Sequence, residues 1–179
     1  MSRVHERCDE CGFDGAAYAD AELLASLRSL GDRWRQNLAA AGVHLRTRPA
    51  PTTWSAIEYA AHSRDVTLLH AFGVEQALTQ DEPRYPPLTD DAIVQAVSGY
   101  GDADPDEVAD ELTKAAHRLA QLADDAGVAA WTRGLTVGET RSDIRRLLEH
   151  ALHDSQHHLD DVERGVSTIS MDAETRPPA

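Results

Sequence analysis

Long hydrophobic runs and lysine are the two clearest deficits of this sequence of 179 residues. No apolar stretch approaches the roughly 20 residues of a membrane span, and the opening MSRVHERCDE lacks the apolar run of a secretory signal. We therefore expect a cytoplasmic protein. Lys114 is the only lysine, and the formal net charge is −14. This charge argues against nucleic acid or an anionic membrane as partner, because both are bound through basic residues.

Cysteine is also scarce, since Cys8 and Cys11 are the only two. One pair is too little for a disulfide scaffold, and a bare CxxC motif in a cytoplasmic chain points to thiol or metal chemistry. His5 would add a third zinc ligand in HERCDECG, where a structural zinc site normally needs four. Three interpretations stay open here: a small zinc knuckle, a redox pair, and two inert thiols in a flexible leader. Glycine-rich phosphate loops and nucleophile elbows are absent from the sequence.

Strand signals are few, because no long alternation of apolar and polar residues is present. Apolar residues instead recur at helical spacing in four segments. We predict four long helices over residues 20–41, 54–79, 104–126 and 140–164. Prolines and glycines interrupt the connection over 81–104, which leaves room for a short helix near 90–98. Four amphipathic helices with one long crossover connection predict an all-α four-helix bundle.

Start and stop residues set the boundaries of this bundle. Asp104 suits the N-cap of the third helix, with Pro105 in its first turn, and Gly127 follows its end. Gly165 is expected to stop the fourth helix. We therefore assign the bundle domain to residues 19–165, between a leader with the CxxC motif over 1–18 and a flexible tail over 166–179.

The fourth predicted helix holds the densest group of candidate metal ligands, in LEHALHDSQHHLDDV from Leu148 to Val162. A helical wheel at about 100° per residue puts His158 about 55° and Asp154 about 95° from the centre of the apolar stripe. These two are four residues apart, so both side chains can reach one ion. His153 and His157 fall nearly opposite the stripe, and we expect them to face water. The stripe consists of Ile144, Leu148, Ala151, Leu152, Ser155, Leu159 and Val162.

The second predicted helix offers a third ligand. His62 flanks its apolar stripe, one turn after Glu58, in TTWSAIEYAAHSRDV. Glu58 and Asp65 point still closer to the core, where an acidic group is costly unless it is paired or bound to a cation. Two interpretations of these acids remain open: pairing with an arginine such as Arg64, and a role in orienting His62.

Two motifs make the sequence resemble the DinB superfamily of metal-binding helical bundles, which includes thiol-dependent S-transferases and mycothiol-dependent maleylpyruvate isomerase. The first motif is a tryptophan–serine pair at Trp54, followed by His62 eight residues after the tryptophan. The second is Asp154 and His158 with Asp161 three residues later, the pattern of the isomerase-like branch. The resemblance covers roughly residues 19–165 and implies the bundle with one crossover.

The resemblance also implies a metal site. Its ligands would be His62, Asp154 and His158. Another branch of the family has two histidines in the pair on the last helix, and that pattern would select His153 and His157 instead. Two imidazoles and one carboxylate leave open positions on a bound ion, as in a catalytic site. Zinc is the first choice for this ligand set, and nickel or ferrous iron would also accept it.

The implied activity is metal-dependent thiol chemistry. A low-molecular-weight thiol, mycothiol or a similar compound, would attack an electrophilic small molecule and give an S-transfer or isomerised product. Glu58 and Asp65 would then be candidates for orienting the ligands, and Arg64 for anchoring an anionic substrate. The alternatives are a metal-dependent hydrolase and a non-enzymatic metal- or ligand-binding stress protein. For the stress protein, a homodimer formed through the helices stays open.

Overall fold

The predicted four-helix bundle is confirmed in the computed structural model, which describes residues 4–175. Residues 1–3 of the predicted leader and 176–179 of the predicted tail lie outside the described residues. The helices are α1 (Asp20–Arg28), α2 (Leu30–Ala41), α3 (Ala56–Thr79), α4 (Asp90–Val97), α5 (Pro105–Ala126) and α6 (Ile144–Thr175). The strands are β1 (Arg84–Tyr85), β2 (Gly134–Val137) and β3 (Thr140–Asp143). Between residues 4 and 175, no helix has the length and apolarity that crossing a bilayer demands.

The bundle is formed by α3, α5, α6 and the pair α1–α2. The helix α3 packs against α5 and α6, and α1 and α2 pack against the same two helices from the other side. The core between them includes two fully buried indoles, Trp34 and Trp131. Each indole N–H is satisfied, by Ser155 Oγ at 3.3 Å and by the Ala123 carbonyl at 2.9 Å. The apolar stripes therefore meet as the helical spacing predicts.

The first predicted helix is divided in two at Ser29. The Ser29 hydroxyl donates to the Ser26 carbonyl at 2.8 Å, a local bond that competes with the helical ladder. Two residues later, Gly31 lies so close to α5 that a Cβ atom there would sit 2.0 Å from Thr113 Oγ1. The break and the glycine together allow α2 to approach α5 closely.

Helix ends follow the predicted signals in α5 but not in α6. Asp104 accepts from the N–H groups of Asp106 and Glu107, and Gly127 follows α5 with φ +74°. The helix α6 runs through Gly165 to Thr175, so the predicted stop at Gly165 is wrong. An interior glycine costs a helix only about 1 kcal/mol. The glycine also leaves space for Pro49 to pack against α6, because a Cβ atom at position 165 would lie only 3.2 Å from Pro49 Cγ.

A small sheet was missed at the sequence level. Strand β1 pairs in parallel with β2, and β2 pairs antiparallel with β3 through a turn at Gly138. Strands of two to four residues are too short for an alternating pattern to be recognised. The sheet, α3 and the start of α6 enclose a groove of about 1240 Å³, whose apolar lining includes Leu69, Phe72, Leu135 and Leu147.

The residues before the bundle form a compact knuckle against α6. We call residues 5–15 the N-terminal knuckle. Its two arms are joined by bonds from Cys8 N to the Phe13 carbonyl (3.0 Å) and from Gly15 N to the Glu6 carbonyl (2.8 Å). The fully buried Glu149 carboxylate of α6 accepts from Glu6 N at 2.8 Å and contacts His5 Nδ1 at 2.7 Å. Polar contacts therefore hold the knuckle on the bundle.

Candidate metal centre

Three predicted ligands from two helices converge on one point. His62 lies on α3, and Asp154 and His158 lie one turn apart on α6. Asp154 Oδ1 is 3.3 Å from His62 Nε2 and 3.6 Å from His158 Nε2. One ligand atom from each residue lies within 4.8 Å of the other two. The fold thus brings together the pair that the helical wheel selects on α6 and the third ligand predicted on α3.

Small residues let the two helices approach at this point. Ser63 of α3 is fully buried, and its hydroxyl donates to Asp154 Oδ2 at 3.3 Å. This bond leaves Oδ1 facing the two imidazoles. The capping box at Ser55 starts α3 about two turns before His62 and so fixes the position of His62 along the helix axis.

The two imidazoles are held by their surroundings. His158 Nδ1 is 2.9 Å from Asp161 Oδ2, which leaves His158 Nε2 to face Asp154. A carboxylate on the far nitrogen of a metal-binding histidine fixes its tautomer and orientation. The Tyr59 ring lies 4.8 Å from the His158 ring, and the Trp54 ring lies 5.2 Å from the His62 ring.

The donor set fits a divalent cation. Ligand atoms about 2.0–2.1 Å from a tetrahedral ion lie about 3.3 Å from one another, close to the separations observed here. Burial raises the pKa of Asp154, but its hydrogen bond to His62 and the charges of His158 and His62 outweigh burial and hold that pKa below its usual value. The carboxylate is therefore ionised and available as a ligand.

Glu58, a candidate for orienting His62, is bound elsewhere. Its carboxylate forms a two-pronged ion pair with Arg48 and also accepts from the Ser55 N–H and hydroxyl. The hydrogen bond from Arg48, together with those from Ser55, outweighs burial and lowers the pKa of Glu58 to about 2. Of the two interpretations of this acid, arginine pairing is the one that the contacts support, with Arg48 in the place of Arg64.

Asp65 and Arg64 are likewise engaged with other groups. Arg64 binds Asp65 at 2.7 Å and Glu111 at 3.1 Å, so its guanidinium faces two carboxylates. Asp65 also accepts from the Tyr100 hydroxyl at 2.8 Å. Over residues 4–175, neither Asp65 nor Glu58 is hydrogen-bonded to His62. The residues that contact the predicted ligands are instead Asp161, at His158, and Ser63, at Asp154.

The prediction that His153 and His157 face water is wrong. Their side chains are only 16% and 19% exposed, because the N-terminal knuckle covers this side of α6. One ring nitrogen of each histidine lies within 4.8 Å of the sulfur atoms of Cys8 and Cys11. The helical wheel measured direction relative to the bundle core alone, and it could not include a segment that docks on the opposite side. The spacings CxxC and HxxxH were the only features of the sequence that could have indicated this four-residue cluster.

His5 does not take the third position that the sequence suggested for the CxxC motif. Its Nδ1 contacts the buried Glu149 carboxylate at 2.7 Å, and His5 is not among the clustered ligands.

Two further histidines stack on each other in the lining of the groove. The rings of His70 and His150 lie 5.0 Å apart and nearly parallel, at 7°. His150 is one turn before Asp154 on α6, and both His70 and His150 line the groove. Burial, with a smaller contribution from His150, lowers the pKa of His70 to about 4, so this ring is neutral near pH 7.

Comparison with known proteins agrees with this architecture. A sequence model of the DinB superfamily matches residues 43–162, more than half of the chain. No curated protein sequence matches. YfiT from Bacillus subtilis, described as "a probable metal-dependent hydrolase with an unusual four-helix bundle topology", superposes with a TM-score of 0.77 at 14% identity, over 95% of this chain and 94% of that one. The mycothiol-dependent maleylpyruvate isomerase superposes with a TM-score of 0.65 at 13% identity, over 83% of this chain and 62% of that one.

Proposed function

This chain belongs to the DinB superfamily, and we propose that it is a divalent-metal-dependent enzyme that uses a low-molecular-weight thiol of the mycothiol type. Its substrate would be an electrophilic small molecule, and its product a thiol adduct or an isomer. The observation that carries the proposal is the convergence of His62 Nε2, Asp154 Oδ1 and His158 Nε2 within 4.8 Å. Three ligands leave a position for a reactant, which four would not.

The charges of the three ligands favour an anionic reactant. Two neutral imidazoles and one carboxylate leave one positive charge on a divalent cation. When bound, such a cation supplies a Lewis acid that keeps a thiol ionised near neutral pH. Asp154 provides the negative charge of the set, while Asp161 and Ser63 hold His158 and Asp154 in position. The Trp54 and Tyr59 rings pack against the imidazoles of His62 and His158.

The apolar groove supports a mainly apolar electrophile. Its lining includes Phe72 and Leu147 but none of the three predicted ligands. The link between the two is His150, which lines the groove and lies one turn before Asp154 on α6. A volume of about 1240 Å³ exceeds the few hundred that a small substrate fills, so the groove has room for an electrophile within about one helical turn of Asp154. Zinc is the proposed metal, since it favours four-coordinate sites with nitrogen and oxygen ligands.

A thiol-transfer assay tests the proposal. Zinc-loaded protein would be incubated with a chromogenic electrophile and, in turn, mycothiol, bacillithiol and glutathione. We expect turnover that requires both the metal and a thiol. His158→Ala should abolish it, whereas His117→Ala, an exposed histidine on α5, should retain the wild-type rate. Absence of turnover with every thiol, while the metal is fully loaded, would contradict thiol transfer.

A metal-dependent hydrolase is the second candidate. The observation in its favour is the match to YfiT, which extends over 94% of that protein. The same three ligands would serve, with water in the place of the thiol. Ester and amide hydrolysis by metal-loaded protein without any thiol separates the two candidates. A fully loaded protein that is inactive in both assays would instead be a metal-binding protein without catalytic activity.

A further inference from the structure

A second cluster of metal-binding side chains lies on another face of α6, about 100° around the helix axis, and plays no part in the proposed function. Cys8 and Cys11 come from the N-terminal knuckle, and His153 and His157 from α6; their ligand atoms all lie within 4.8 Å of one another. A tetrahedral zinc ion, with Zn–S about 2.3 Å and Zn–N about 2.0–2.1 Å, separates its ligands by about 3.3–3.8 Å. Cys8 Sγ lies 3.8 Å from His157 Nδ1. This separation matches the spacing that an ion requires, and none of the other separations exceeds 4.8 Å.

We propose that Cys8, Cys11, His153 and His157 bind one structural Zn²⁺ ion, which clamps the knuckle to α6. Two thiolates and two imidazoles form a closed tetrahedral set without an open position, the pattern of structural zinc sites. This site is distinct from the His62 centre and does not depend on the function proposed for it.

The His153 ring supplies independent support. Its Nδ1 is 3.1 Å from Glu6 Oε1, so the carboxylate holds one side of the ring. Its Nε2 is buried and has no hydrogen-bond partner within the described part of the chain. A buried polar atom without a partner costs about 1–3 kcal/mol. A zinc ion coordinated by Nε2 removes this cost, and Glu6 then orients the ring from its far side.

His157 is arranged in a complementary way. Its Nδ1 faces Cys8, and its Nε2 lies 3.9 Å from Glu10 Oε2 and 3.8 Å from Asp161 Oδ2. Carboxylates beside the non-coordinating nitrogen are typical of zinc-binding histidines. The four-residue spacing of His153 and His157 sends both rings from one turn of α6 to the same point.

The knuckle backbone is shaped for two thiolate ligands. Both cysteines are unpaired thiols, and the turn that follows Cys11 is made by Gly12 with φ +73°. Peptide N–H groups of Cys11 and Glu10 donate to the Cys8 sulfur. The same N–H groups would stabilise a metal-bound thiolate.

The two sites use neighbouring residues of α6. His153 is followed by Asp154, and His157 by His158, so each ligand of the zinc cluster precedes a ligand of the candidate metal centre. Rotating α6 to improve one set would displace the other. The clamp therefore fixes the rotation of α6 about its axis, and with it the direction of Asp154 and His158.

Cobalt substitution tests the site directly. The full chain, purified under reducing conditions, would be stripped and titrated with Co²⁺, because thiolate ligands give a near-ultraviolet charge-transfer band that nitrogen and oxygen ligands do not. We expect the band in the wild type and in His62→Ala/His158→Ala. In Cys8→Ser/Cys11→Ser we expect the band to be lost, and the protein to bind one equivalent of zinc fewer than the wild type. A wild-type protein without the band, or one that forms a Cys8–Cys11 disulfide and binds no metal there, would overturn the proposal.

A second variant removes any ambiguity if the double serine variant fails to fold. His157→Cys keeps four ligands and adds a third thiolate. We expect it to retain the metal, with a stronger charge-transfer band than the wild type. An unchanged band in folded His157→Cys protein would show that this position does not coordinate. Both measurements report on the sulfur ligands only, so they are independent of whether the His62 centre is active.

Discussion

His157 and His158 are neighbours in the sequence, yet their imidazole rings lie at 86° to each other, with centroids 5.6 Å apart, and belong to two different clusters. His157 faces the N-terminal knuckle, and His158 faces α3. The carboxylate between them, Asp161, contacts His158 Nδ1 at 2.9 Å and His157 Nε2 at 3.8 Å. One helix thus presents ligands on two adjacent faces, and the proposed structural and catalytic ions would lie about 100° apart around its axis.

Removal of the Asp161 carboxylate should weaken the metal centre without removing a ligand. Asp161→Ala leaves His158 without the partner that fixes its tautomer, so we expect the zinc affinity of the centre to fall about 10–100-fold. Asp161→Asn, which can still accept from the ring, should recover part of this loss. Competition with a chromophoric chelator measures the affinity, and exposed Glu163→Gln on the same helix is the control. Equal affinities for Asp161→Ala and wild type would exclude this positioning role.

The buried ion pair beneath the knuckle should contribute strongly to stability. Glu149 is fully buried and binds Arg145, whose side chain is 4% exposed. Glu149→Gln leaves that guanidinium buried with Asp20 as its remaining charged partner, so we expect a loss of about 3 kcal/mol, the lower end for a broken buried pair. Glu75→Gln removes an exposed pair with Arg118 and should cost less than about 1 kcal/mol. Urea denaturation compares them, and similar losses would contradict the account.

Glu58 should make stability depend on pH in a defined direction. Its pKa is lowered from 4.5 to about 2 in the folded chain, so the folded state favours the ionised form. The resulting stabilisation is complete above pH 4.5 and is lost as the pH falls toward 2. The unfolding free energy of Glu58→Gln should therefore differ most from the wild type above pH 4.5, with the gap closing below it. A gap that is constant with pH would disprove the ion-pair origin. Because Arg48 is half exposed, the gap will be modest.

The close approach of α2 and α5 should not tolerate a methyl group. Gly31→Ala places a Cβ 2.8 Å from the Thr113 backbone, which cannot move away as a flexible side chain could. We expect destabilisation of about 1–3 kcal/mol, despite the better helix propensity of alanine. Gly99→Ala, with open space around it and an ordinary φ of −102°, should stay within about 0.5 kcal/mol of the wild type. Thermal unfolding of both variants checks this, and equal melting temperatures would refute it.

The sequence was most informative for features that depend on the periodicity of a single helix. Amphipathic spacing predicted the four long helices, and the helical wheel selected Asp154 and His158 as inward-facing, because burial along a helix follows its own periodicity. Stop signals were less reliable. Gly165 lies inside α6, where contact with Pro49 gives the glycine a packing role that no local pattern reveals.

Contacts between distant segments could not be predicted in the same way. The partner of Glu58 is Arg48, in the loop before α3, and the partners of His153 and His157 are cysteines almost 150 residues away. Their positions depend on how the loop and the knuckle dock, which periodicity does not encode. The sheet was missed because its strands are held by pairing with one another and contain too few residues for a pattern.

The most direct test of the central claim is a zinc-soaked crystal measured at the zinc absorption edge. We expect an anomalous peak about 2.0–2.2 Å from His62 Nε2, Asp154 Oδ1 and His158 Nε2, and the loss of that peak in Asp154→Ala. A fully occupied zinc ion elsewhere, with no density between these three atoms in the wild type, would contradict it.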